Sequence, residues 1–111
     1  MLQKRAYSKL TREAVDLLGR RIKLARKKRR WPESELAERA GIARETLRKI
    51  ERGDPSSSIG LVFEVAVLVG INLFEVTSAR DMVNQRKHIE EQLKLLPKHT
   101  HAANRIVDDE F

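Results

Sequence analysis

Residues 32–53, Pro-Glu-Ser-Glu-Leu-Ala-Glu-Arg-Ala-Gly-Ile-Ala-Arg-Glu-Thr-Leu-Arg-Lys-Ile-Glu-Arg-Gly, read as two short amphipathic helices joined by a glycine turn. In the first, Leu36, Ala37 and Ala40 recur at the three- and four-residue spacing that sets side chains on one face. Gly41 ends it, because glycine takes the left-handed conformation that stops a helix and turns the chain at little cost. Ile42 fills the corner. A second helix, from about Arg44 to Arg52, turns Leu47 and Ile50 inward. Outside it leaves Arg44, Glu45, Thr46, Arg48, Lys49 and Arg52, a face with four cations.

Upstream, Thr11 is placed to cap a helix whose first turn holds Glu13 and Asp16, where negative charge suits the positive helix end. Val15, Leu18, Ile22 and Ala25 give that helix its inward stripe, and it ends in five consecutive cations, Arg26, Lys27, Lys28, Arg29 and Arg30. Downstream, Asp54, Pro55 and the serines 56–58 form a loop feeding a fourth helix, with Ser57 or Ser58 as its cap. Ile59, Val62, Phe63, Ala66, Val67 and Val69 make that helix the expected centre of the core. Gly70 to Phe74 closes it and starts a short fifth helix. Ser78 can cap a further helix running through Leu96, in which Met82, Ile89 and Leu96 fall seven apart with Leu93 between them. That stripe either covers the domain's own core or pairs with a second copy, and pairing is the preferred reading. Pro97 ends the helix. The expected organisation is a flexible arm over 1–10, a helical domain over 11–77, a helix over 78–96 that serves dimerisation, and a flexible tail over 97–111.

Composition agrees with an all-α chain: 111 residues, 41% hydrophobic but only 5% aromatic, suffice for one helical domain. With no cysteine, neither disulfides nor thiolate metal sites are available, and reducing cytosol is the expected compartment. The stretch from Ile59 to Ile71 is interrupted by Glu64 and falls short of the roughly 20 apolar residues a membrane span needs. Met1 to Leu10 is too polar for the apolar core of a signal peptide. Charge is uneven. Residues 1–53 carry 17 Lys and Arg against 7 Asp and Glu, whereas residues 54–111 carry 6 against 9. Positive charge concentrated in one half favours a polyanion, with phosphate contacts that weaken steeply as salt rises. A membrane surface is the less suitable partner, since no aromatic-rich face is left over for it. No nucleophile, base and orienting acid assemble, and no glycine-rich phosphate loop is present, so catalysis is not expected. His99-x-His101 and His88 offer a metal too few ligands; no metal and no cofactor are expected.

The sequence Leu36-Ala37-x-x-x-Gly41-Ile42, a short polar-faced second helix and the closing Ile50-Glu51-Arg52-Gly53 together resemble the helix-turn-helix core of phage-repressor and Xre transcription regulators, over roughly residues 18–73. The resemblance implies a five-helix repressor-like domain that binds double-stranded DNA as a homodimer on an inverted-repeat operator, the second helix of the pair lying in the major groove. Carried over by position, Arg44, Glu45, Thr46 and Lys49 face base edges, while Arg48 and Arg52 lie nearer the DNA backbone. The run Arg26 to Arg30 also meets the backbone, although Arg26 matches an arginine with a structural role in that pattern. Trp31 stands where an aliphatic core residue is usual and is read as core. Two positions depart from the pattern. Pro32-Glu33 replaces a threonine-glutamine helix start, and Glu33 would repel a phosphate. Ala43 replaces a serine or threonine cap, at about 1 kcal/mol. Leu95-Leu96-Pro97-Lys98 and the acidic, phenylalanine-ended tail resemble HipB-like antitoxins. That second resemblance implies a HipA-type kinase toxin as partner, docked through Ile106, Val107 and Phe111; the dimer contact at Met82, Ile89, Leu93 and Leu96 is read from their spacing instead.

Overall fold

A computed structural model describes residues 5–98 of the chain. Among these the fold is all-helical: α1 (Lys9–Lys28), α2 (Glu33–Ala40), α3 (Arg44–Glu51), α4 (Ile59–Leu68), a single 3-10 turn at Leu73–Glu75, and α5 (Ala79–Lys94). Two compact units result, Met1–Glu75 and Val76–Phe111. No helix among the described residues is long and apolar enough to cross a membrane.

In the first unit, α1 is capped three residues ahead of the expected Thr11. Ser8 takes the cap position, its hydroxyl accepting the Thr11 N–H at 3.2 Å. Helices α1 to α4 all stop in one way. A residue at positive φ closes each: Arg30 (61°), Gly53 (77°) and Gly70 (85°) just after the cap, and Gly41 (68°) at the cap itself. The next N–H then turns back into the last turn, Trp31 donating to the Arg26 carbonyl at 3.2 Å, Ile42 to Ala37 at 3.0 Å, Asp54 to Lys49 at 3.2 Å and Ile71 to Ala66 at 2.9 Å. This is the Schellman closure, which satisfies carbonyls that a helix end leaves open. Three of the four positions use glycine. Arg30 does not, and its Cβ meets the steric penalty glycine escapes.

The core joins all four helices: Ile22 from α1, Leu36 and Ala37 from α2, Leu47 and Ile50 from α3, and Val65, Ala66 and Val69 at the end of the domain's last long helix. Burying each large aliphatic side chain contributes about 1.5–3 kcal/mol. The inward stripes of α1, α2 and α3 lie where their spacing puts them. In α4 the stripe is rotated from the expected one: Val65 is fully buried, whereas Ile59 and Val67 are 70% and 58% exposed. An element apolar on every side carries no period, so its inward face is set by its neighbours rather than by its own pattern.

Close approach of α1 and α3 depends on Gly19, which is buried; a Cβ there would stand 2.6 Å from the Ile50 carbonyl oxygen and 2.7 Å from that of Glu51. Just beyond this contact a charged pair is buried in the same seam. Arg26 and Glu51 are 5% and 3% exposed, and the guanidinium donates to the carboxylate through Nε (2.7 Å) and Nη2 (3.0 Å). Its remaining nitrogen, Nη1, donates to the Trp31 carbonyl at 2.9 Å.

The expected fifth helix is reduced to the 3-10 turn. Phe74 and Glu75 both take left-handed φ (58° and 53°), a conformation in which an α-helix cannot propagate. Phe74 is held there edge-on to Phe63, ring centroids 6.0 Å apart.

The second unit is built on α5. Ser78 caps it as expected, accepting the Asp81 N–H at 3.1 Å, while Asp81 reaches back to the Thr77 N–H at 3.1 Å. The helix stops at Lys94, ahead of the expected Leu96. Ile89, Leu93 and Leu96 are exposed, and Met82 stands at the border of exposure.

Two stability predictions follow from these contacts. Arg26→Met or Glu51→Leu alone strands a buried charge and should cost about 3–5 kcal/mol in urea unfolding, whereas the double variant should lie within about 1 kcal/mol of the parent. Arg30→Gly should stabilise by about 0.5–1 kcal/mol, the reverse of the usual glycine effect, because the native φ is already left-handed.

Candidate nucleic-acid interface

Helix α3 turns Leu47, Ile50 and Glu51 into the fold, which fixes the opposite side as its outer face. Glu45, Arg48, Arg52 and Arg44 are exposed there, while Thr46 and Lys49 are half-buried on its flanks. The four residues expected to face bases are thus brought to one helix, though on an arc rather than a single line. Among the described residues Arg44 and Lys49 make no ion pair, so their donors are open.

The other charges of this face are engaged with one another. Glu45 lies 3.6 Å from Arg48 and 3.4 Å from Arg52, between the two arginines expected at the DNA backbone. Arg48 also donates through Nε to Glu33 at 3.0 Å, which ties the first turn of α2 to the outer face of α3. Hydrogen bonding from Arg48 holds the Glu33 carboxyl below its ordinary range, and the same bond raises the Arg48 guanidinium above its own. The carboxylate at this helix start is therefore paired, and its repulsion of a phosphate is reduced relative to the isolated charge expected. Exposed pairs of this kind contribute little to stability and exchange readily for other partners.

Neither α2 nor α3 has a side-chain cap. Pro32 stands at the cap position of α2, and Ala43 at that of α3. Ala43 thus leaves first-turn N–H groups of α3 without the side-chain acceptor that Ser or Thr would provide.

The basic run ahead of α2 divides by role. Arg26 does not belong to any phosphate-binding surface: it is buried, and its three nitrogens serve Glu51 and Trp31. Glu51's hydrogen bonds keep its guanidinium above the ordinary arginine range. Arg29 donates through Nε to the Val69 carbonyl at 3.2 Å, at the C-terminal cap of α4, and lies 5.3 Å from the Trp31 ring centroid. Arg39 stacks on that ring at 4.2 Å. Trp31, expected as core, is half-buried and packs against the core, with these two guanidinium groups over its ring. Lys27, Lys28 and Arg30 remain exposed.

Two contacts central to this geometry, Arg26–Glu51 and Glu33–Arg48, were not expected from the sequence. Glu51 carries a signal: it falls on the inward side with Leu47 and Ile50, where only a buried cation can accompany a carboxylate. The Glu33–Arg48 pair spans fifteen positions and carries no local signal. Ile106, Val107 and Phe111, the expected partner-binding residues, lie outside the described residues, as do His99 and His101. No group of three or more metal-ligating side chains occurs among the described residues.

The Glu33 pair has a pH signature. A carboxyl lowered in the folded state contributes stability above its unfolded pKa, about 4.3, and loses it as pH falls through the lowered value. In urea midpoints, Glu33→Gln should be less stable than the parent at neutral pH, with the gap closing below about pH 4.

Residues 22–76 match the helix-turn-helix family model, the stretch that begins within α1 and ends just past the 3-10 turn. No curated protein and no solved structure gives a significant match to the chain. The match supports a DNA-binding regulator and points to no enzyme family. Turn, core and family match agree over residues 22–76, a stretch that is similar to the helix-turn-helix family.

Proposed function

We propose that the chain is a transcriptional repressor that binds an inverted-repeat operator as a homodimer, laying α3 in the major groove. The observation that carries this reading is the arrangement of α3: its apolar side is locked by Leu47, Ile50 and the Arg26–Glu51 pair, while exposed Arg44 and half-buried Lys49 make no ion pair among the described residues. Arginine or lysine can bridge the two acceptors of guanine, Glu45 can accept from the amino group of cytosine, and the Thr46 methyl suits thymine. Lys27, Lys28 and Arg30 then serve the phosphate backbone. One helix of eight residues reads few base pairs, so a second copy one helical turn away supplies the specificity of an operator. A cytoplasmic, nucleoid-bound location accords with this role. A HipA-type kinase as a second partner rests on the resemblance of the tail, whose expected contacts lie outside the described residues.

The test is titration of the chain against its own upstream DNA and a scrambled duplex at 50 and 200 mM salt. Arg44→Ala should lose about 1–3 kcal/mol on the specific site alone, whereas Lys28→Ala should weaken both duplexes alike and lower the salt slope by about one. Equal losses for Arg44→Ala on both duplexes would overturn base reading by that residue. Salt-independent or undetectable binding would overturn the function.

A further inference from the structure

Resting on the dimer proposed above, we infer that two copies join through α5, and that the two helices run antiparallel. The seam is readable from the spacing of Ala79, Met82, Arg86, Ile89, Leu93 and Leu96, which alternates steps of three and four as in a two-stranded coiled coil. It covers the whole of α5 and ends just beyond it. Ile89, Leu93 and Leu96 are 55%, 60% and 62% exposed, an apolar line that water-facing helices do not ordinarily maintain.

Arg86 is the one charge in that line, and it decides the orientation. In a parallel pair equivalent positions meet, so Arg86 would face Arg86 across the seam, with only the Glu90 of its own helix to offset the like charge and none from the second copy. In an antiparallel pair with full overlap, Ala79 meets Leu96 of the second copy, Met82 meets Leu93, and Arg86 meets Ile89. That register sets each Arg86 beside Glu90 of the other copy. Arg86 already donates to Glu90 of its own helix at 2.6 Å. The two pairs then come together at the centre of the seam as a ring of alternating charge, with apolar layers on either side. Charge at the seam thus selects against the parallel arrangement while the apolar layers supply the affinity, the division of labour seen wherever a polar seam residue fixes pairing.

Because the chain has no cysteine, engineered thiols report the geometry directly. Met82→Cys and Leu93→Cys are prepared singly, mixed, and oxidised with a glutathione buffer, with mass followed by light scattering. The antiparallel seam places Met82 about 16 Å along the axis from its own copy, at 1.5 Å per residue, beyond the reach of a disulfide. The expected result is a mixed disulfide between the two variants, in at least tenfold excess over either self-disulfide. Adding Arg86→Leu to Met82→Cys should raise self-cross-linking severalfold, since the barrier to the parallel form is gone. Three results would overturn the inference. A dimer whose Met82→Cys chains cross-link to themselves is parallel. A dimer that forms neither disulfide uses another surface, and indifference to Arg86→Leu removes the selecting charge. In all three the repressor dimer stands, whereas a monomeric mass for the unsubstituted chain would remove that dimer as well.

Discussion

The Arg26–Glu51 pair is the contact on which the geometry of the first unit turns. It joins the last turn of α1 to the last turn of α3, and through the Trp31 carbonyl it also fixes the chain that leads into α2. Removing two charges from water costs several kcal/mol, so the pair adds little net stability. What it adds is position. Apolar contacts at Leu47 and Ile50 tolerate small rotations of α3, but a two-pronged hydrogen bond from a buried guanidinium fixes both distance and roll. Gly19 acts on the same seam from the steric side, allowing the backbones to come close enough for the pair to form.

A second layer of charge is arranged quite differently. Trp31 carries Arg29 and Arg39 against its ring, and Arg29 at the same time meets the end of α4. A basic run that looks uniform in sequence therefore contains a buried structural arginine, a half-structural one, and cations that only face water. Five like charges in a row cannot all share one role on a helix end, because successive residues point about 100° apart.

Much of this was legible in advance. Gly41, Ile42 and the apolar positions of α1, α2 and α3 follow from spacing alone, since each of those helices has a polar side to contrast with its inward one. The α4 stripe was not, because Ile59 to Leu68 offers no such contrast and the core took Val65 instead of Val67. The expected fifth helix is shortened to a 3-10 turn for a local reason, the left-handed backbone at Phe74 and Glu75, which neither residue type announces. At the α3 face the residues were legible and their pairing was not. Glu33 and Glu45 read as lone charges in sequence, and only the fold brings Arg48 between them.

That pairing gives the outer face of α3 an internal competitor. Any polyanion approaching Arg48 or Arg52 must displace Glu33 or Glu45, so part of the attraction is spent before contact is made. Loose attachment, in which only phosphates and guanidinium groups meet, is penalised. On the function proposed above, a site that offers the displaced carboxylate a donor of its own would recover the loss, and the protein's own anions would then share in discrimination with its cations.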